Sequence, residues 1–203
     1  MAHTHMLETQ APALYDLTLS ESSSNSTKRK REDTIRIALV DVDESEFETF
    51  MRFVYVGTLP ELDSIEAATS ILLLSNRFGC TDLKLFCEST LVDKFLGPAT
   101  AATLLLLAEG HSCALLKEAF MDLYTSNPKE VSNGKDWHLV EESSKFIKEL
   151  LTYAMIDRHE RSEEDSVTSL RKWLEDENLD VDGTRETLVK RKAEAISRRE
   201  KNR

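Results

Sequence analysis

Asp41-Val-Asp43-Glu-Ser-Glu46-Phe47-Glu-Thr-Phe50-Met51-Arg-Phe53-Val54-Tyr55-Val-Gly57-Thr-Leu59 is the stretch whose reading decides the fold. It reads as the end of a strand followed by a capped, apolar helix. Asp43 is placed to act as N-cap, with Glu46 three residues on to close a capping box. Phe47, Phe50, Met51 and Val54 recur at i, i+3, i+4 and i+7 and build one buried face. Phe53 and Tyr55 lie off that stripe, which leaves apolar surface for a second neighbour. Gly57 ends the helix.

Working outward, Met6 to Leu19 is an apolar-polar mixture broken at Pro12, and it predicts a helix interrupted by a turn. Glu21 to Asp33 contains Ser22-Ser-Ser-Asn-Ser-Thr27 and then Lys28-Arg29-Lys30-Arg31. It has no packing pattern and reads as a loop. Ile35, Ile37 and Leu39 alternate with Arg36 and Ala38, the period of a strand. From Ser64 onward every segment has helical periodicity. A helix runs to Phe78 and stops at Gly79. Another starts at Thr81 with Leu83, Leu85, Phe86 and Leu91 inside. Gly97-Pro98 marks a new start before helices at Ala99–Glu109 and Ser112–Tyr124. Turns are expected at Asn127-Pro128 and Asn133-Gly134, and a last helix of this set is centred on Ser143 to Leu151. Arg158 to Asp165 is charged and nearly devoid of large apolar residues, the composition of a linker.

Charge is unevenly distributed along the 203 residues. The net charge is −11; residues 166–203 hold 10 basic and 8 acidic groups (+2), so the remainder holds 26−10=16 basic and 37−8=29 acidic groups (−13). An acidic body argues against a nucleic-acid coat along the whole chain and leaves a local basic contact at the C-terminal end. There is no signal-peptide core at Met1, and no run approaches the ~18–20 apolar residues that a bilayer needs. Cys80, Cys87 and Cys113 have neither zinc-knuckle nor redox spacing, and they read as buried free thiols of a reducing compartment, cytoplasm or nucleus.

The order of these segments resembles a BTB/POZ domain followed by a BACK-like helical extension. His3-Thr-His-Met-Leu-Glu-Thr-Gln-Ala-Pro12-Ala-Leu14 resembles the first BTB helix and its exit. Ile35 to Leu39 then takes the place of the next strand, and Phe53-Val-Tyr55-Val-Gly57 that of the following helix's exit. Ala67 to Val92 stands for the closing helical pair. Leu104 to His111, Leu115-Leu-Lys-Glu-Ala-Phe120 and Asn127-Pro128 resemble the extension found in ubiquitin-ligase adaptors. The likeness is collinear from His3 to Leu151. It implies a mostly α protein: an α+β BTB fold with few strands over 1–95, lacking its first strand hairpin, and the extension over 96–155. That hairpin would precede His3. The family's dimer contacts use it, so the resemblance leaves homodimerisation open, and the sequence as a fragment or a late-started gene model is an open reading.

In that family, adaptors hold a cullin scaffold through a hydrophobic-x-Glu motif and residues near the next helix's end. Leu19-Ser20-Glu21 and Tyr55 match these two positions. An apolar side chain would fill a cullin groove while the carboxylate pairs at its rim. A chance Leu-x-Glu triplet and a core Tyr55 are the competing reading. The resemblance names no target protein.

After the linker at 156–165, Ser166-Val167-Thr-Ser-Leu170-Arg-Lys-Trp173-Leu174, Leu179, Gly183-Thr184-Arg185 and Leu188-Val-Lys190-Arg191 resemble a SAP motif, a two-helix DNA-binding module over 166–203 with a basic tail. Ser166 and Thr184 are placed as caps, Val167, Leu170 and Leu174 as an inner face, and Gly183 as a tight turn. The resemblance implies phosphate contacts from Arg185, Lys190, Arg191 and the second helix's N-terminus. Asp176, Asp180 and Asp182 make the near loop acidic, and Lys192 stands where the family has Leu. A structural or protein-facing role weighs equally. Lys28-Arg29-Lys30-Arg31 fits a nuclear-import signal or a solvated basic loop.

Nothing supports enzyme chemistry. There is no Gly-x-Ser-x-Gly elbow, no His-Glu-x-x-His and no phosphate-binding glycine loop. The five histidines do not cluster, so neither a metal nor a cofactor is expected. The sequence thus implies a protein-interaction adaptor, expected to serve a cullin-RING ubiquitin ligase. The alternative is a nuclear, chromatin-associated scaffold that uses the SAP-like pair on DNA.

Overall fold

The computed structural model describes residues 2–24, 38–155 and 166–201. They form two compact units, Met1–Cys87 and Glu88–Arg203. The mostly helical class expected from the sequence is what is observed. Among the described residues the one β-type pairing is a single parallel bridge between Cys113 and Gly183.

In the first unit, α1 (Ala2–Gln10) and α2 (Pro12–Ser24) meet at Ala11, which is completely buried. The break falls where Pro12 lacks the N–H that a continuous helix requires. Two expectations change here. The predicted loop from Glu21 does not begin there, because α2 continues to Ser24; extending a helix already anchored by buried Leu14 costs less than starting one. The strand expected over Ile35–Leu39 lies mainly outside the described residues, and Ala38 and Leu39 have irregular backbone leading into a bend. Lys28 to Arg31 also lie outside the described residues.

Helix α3 (Glu44–Val56) is built as its sequence dictates. Asp43 accepts hydrogen bonds from the Ser45 and Glu46 amides (2.9 and 3.2 Å) and from the Ser45 hydroxyl (2.6 Å). These bonds, led by the hydroxyl, hold its carboxyl below the usual carboxylate range. Gly57 closes the helix at φ +74 and donates to the Phe53 carbonyl. Phe50 and Val54 are buried, and Phe47 and Met51 are half-buried. The Phe50 ring packs on Phe78 of α4 (Ile65–Phe78) at 5.4 Å between centroids, and Phe47 meets the Phe78 edge at 6.1 Å. Ser64 caps α4 through the Ala67 amide, and Gly79 ends it at φ +73 against the Pro12 ring. Helix α5 (Thr81–Thr90) then starts with Cys80, Leu83 and Cys87 buried.

The second unit begins in the last turn of α5, at Glu88, and continues through a π-helical turn (Leu91–Phe95). Then come α6 (Ala101–His111), α7 (Ala114–Ser126), the short α8 (Pro128–Ser132) and α9 (Trp137–Glu141), and α10 (Ser144–Met155). Where the sequence predicts a simple turn at Asn127-Pro128, Pro128 instead opens α8, with a fixed φ suited to a first helical position. The segment from Trp137 to Met155 is two helices rather than one. Leu105, Phe120, Val140 and Leu150 form the centre of one core, with Tyr124 stacked on Trp137 at 5.3 Å. Helices α11 (Val167–Asp176) and α12 (Arg185–Lys201) form a second core, in which Val167, Leu170, Leu174 and Leu188 close on Ala114 of α7.

Candidate interaction surfaces

The residues matched to cullin binding all fall in the first unit. Leu19 lies in the second half of α2 and is 47 % exposed; Tyr55 lies in the last turn of α3 and is 37 % exposed. Leu17 on α2, and Val56 and Leu59 at the α3 exit, are also large exposed apolar residues. Glu21 belongs to α2, so Leu19-Ser20-Glu21 is helical rather than extended. This follows from the geometry of α3 and α4: once Phe50, Val54 and Phe78 are committed to the core, positions 55 and 56 turn outward.

The three basic residues matched to DNA contact all lie on α12. Arg191 is spent inside its own module. It donates to the Asp180 carbonyl (3.1 Å) and to the Asp182 carbonyl, and its guanidinium pairs with the Asp180 carboxylate at 2.6 Å. It thereby ties α12 to the loop that the sequence marks as acidic. Lys190 is exposed and lies 4.0 Å from Glu194 on the next turn. Arg185 is exposed at the first position of α12, and Glu186 stands beside it. Burial resists the Glu186 charge, but hydrogen bonds from its own amide and Thr184, with the nearby Lys117 charge, outweigh that and hold the carboxyl below its usual range. A carboxylate therefore occupies the helix end that phosphate would need. The caps themselves form as expected. Ser166 accepts from the Ser169 amide, Thr184 accepts from the Thr187 amide, and Gly183 sits at φ +126, where a side chain would press on Thr187.

A charged centre joins the C-terminal pair to α7. Glu88 is fully buried. Its Oε1 accepts from the Leu115 and Leu116 amides at 2.7 and 3.1 Å, capping α7, whose own N-cap residue Cys113 contributes no side-chain cap. Its Oε2 lies 2.8 Å from the Arg171 guanidinium, which is 13 % exposed. That approach is off the N–H axis, so the attraction is ionic rather than an aligned hydrogen bond. Arg171 Nε also donates to the Val181 carbonyl at 3.3 Å. One turn along α7, Glu118 accepts from the Val167 amide at 3.0 Å, so α7 in turn caps α11. Burial pushes the Glu118 carboxyl up, although that amide and the Arg185 charge pull the other way. No single helix declares this charge: Glu88 follows Cys87 by one position and so lies about 100° round α5 from the stripe of Cys80, Leu83 and Cys87.

A second cluster joins α6, α7 and α10. Lys117 lies 2.7 Å from both Glu109 and Glu149, and Lys145 also pairs with Glu109. Burial works against both charges, but the mutual hydrogen bonds prevail. Glu109 is held below its usual range and Lys117 above.

All three cysteines are buried and outside any disulfide, and burial pushes the Cys80 thiol up to about 11. Among the described residues no group of His, Cys, Asp and Glu is placed to hold a metal, and no helix is long and apolar enough to cross a membrane.

Residues 1–95 match the family model described as BTB/POZ domain. The chain is similar to mouse proteins called TD and POZ domain-containing protein 3, 4 and 5. It is 30 % identical to the first over 139 residues, which are 67 % of this chain and 35 % of that protein. To the second it is 29 % identical over 145 residues, 70 % of this chain and 36 % of the relative. The chain spans about a third of the length of these relatives.

Proposed function

We propose that this chain, with a BTB/POZ domain at residues 1–95, is a protein-interaction adaptor that recruits a cullin scaffold through its first unit. The observation that carries the reading is the family match, together with exposed apolar residues on α2 and at the α3 exit. Leu14 of α2 and Phe50 and Val54 of α3 are buried, and Leu19 and Tyr55 on the same helices are exposed before any partner arrives. Such preset apolar groups lower the entropic cost of association and are the kind of anchor that dominates interface energetics. The adaptor holds a target through a different surface, and no bond-making chemistry is assigned to it.

Capture by an immobilised cullin N-terminal domain tests this. The parent chain is expected to be retained, and Leu19→Asp with Tyr55→Ala is expected to lower retention by tenfold or more, about 1.4 kcal/mol. Unchanged capture by the double variant would remove these residues from the interface. Absence of capture by the parent chain and by one extended upstream with a strand hairpin would remove the cullin.

The DNA reading of the C-terminal pair is not favoured. Arg191 is bound to Asp180 and Asp182, and Glu186 occupies the first turn of α12. The pair is read instead as a protein-facing element of the second unit.

A further inference from the structure

We infer that residues 166–201 are a strap latched onto α7, with the Glu88–Arg171 ion pair as the latch. The apolar content of the contact is lopsided. In the shared cluster α7 contributes buried Ala114 and partly buried Leu115, whereas the strap contributes buried Val167, Leu170, Leu174 and Leu188 with Trp173, Leu179 and Val181 against them. The strap therefore keeps most of its own core when it leaves, and little apolar area opposes its release. Polar contacts decide whether it stays: Glu88 with Arg171, Glu118 with the Val167 amide, and the backbone bridge from Cys113 to Gly183.

Glu88 is built to serve both sides. Its Oε1 caps α7 whether the strap is present or not, whereas its Oε2 faces Arg171 and is buried with it. While the strap is docked, that oxygen is shut away from water, and the guanidinium is its compensation. Without the guanidinium a buried charge is left uncompensated, and the cheapest relief is to lift the strap and let water in. Opening uncovers Ala114, Leu115 and Glu118 on α7 together with the first turn of α12, where Arg185 and Glu186 now face the charges of Glu118 and Lys117. The latch thus controls access to the N-terminal face of α7. It does not depend on the cullin reading.

The test uses the full chain with a specific protease site placed between residues 156 and 165. After cleavage the C-terminal fragment of the parent protein is expected to co-elute with the remainder on gel filtration. Arg171→Met leaves the α7 cap residues in place and is expected to release the fragment, raising its dissociation constant by about 100- to 5,000-fold, as follows for a buried charge stripped of its partner. Hydrogen exchange on the uncut variant separates this from general damage: amides of 166–201 should exchange faster, while Leu105, Phe120 and Leu150 keep their protection. Equal retention of the Arg171→Met and parent fragments overturns the latch. A parent fragment that separates on cleavage overturns the docked strap itself.

Discussion

Replacing Phe50 by Ala tests the packing of the first unit directly, because the apolar stripe of α3 faces its core. Phe50 is completely buried, and its ring contacts Phe47 at 6.2 Å and Phe78 at 5.4 Å. Truncating a buried Phe costs about 3–5 kcal/mol through lost transfer energy and the cavity left behind. An 87-residue unit has about 4–13 kcal/mol of stability in total, at ~0.05–0.15 kcal/mol per residue. The substitution therefore removes a large share of it. With a urea dependence of about 2 kcal/mol per molar, the midpoint should fall by about 2 M. Cys80 and Cys87 supply a local reporter, since both are buried in this unit and the Cys80 thiol is raised to about 11 by burial. Their reaction with an aromatic disulfide reagent at neutral pH requires the unit to open, so its rate should follow the urea curve. Val56→Ala, at a residue 72 % exposed on the same helix, is the control and should change stability by under about 0.5 kcal/mol, a midpoint shift under about 0.25 M. Equal shifts for the two variants would refute the facing of α3, and with it the outward placement of Tyr55.

Gly57→Ala and Gly79→Ala should separate conformational strain from crowding. Both glycines have φ near +74, but a Cβ at Gly57 meets nothing within 4 Å, whereas at Gly79 it lies 3.2 Å from the Pro12 Cγ. The first should cost about 1–2 kcal/mol by denaturant melting, and the second distinctly more. Ser64→Ala, which removes the cap on the Ala67 amide, should cost about 1 kcal/mol in the same assay. The Glu109–Lys117 cluster gives the second unit a two-sided pH dependence. Glu109 is lowered when folded, so its contribution is present above its unfolded value of 4.5 and lost as pH falls through the folded one. Lys117 is raised, so its contribution is present below 10.5 and lost as pH rises through the folded value. Lys117→Met should flatten both limbs in a thermal-melting series from pH 3 to 11, and limbs that persist unchanged would place the titration elsewhere.

What was legible in the sequence was whatever one helix can declare by itself. Asp43, Ser64 and Ser166 announce their caps through side chains that act within three residues, and Gly57 and Gly79 announce their stops. The face of α3 follows from a period of 3.6 read over four apolar positions. Glu88 and Arg171 could not be read that way, because their meaning lies in a meeting across 83 positions of sequence. Each taken alone is an ordinary charged residue on a helix. The same limit applies to Arg191. A basic residue at the right motif position looks available until the Asp180 and Asp182 carbonyls are seen to hold it. A motif thus states where a side chain starts, whereas its function depends on which neighbours have already taken its hydrogen bonds. For Arg191 they are taken by its own loop, and for Arg171 by a carboxylate on another helix. Two of the basic residues of the C-terminal segment, Arg171 and Arg191, are thus engaged inside the protein, whereas Lys172, Arg185 and Lys190 are exposed.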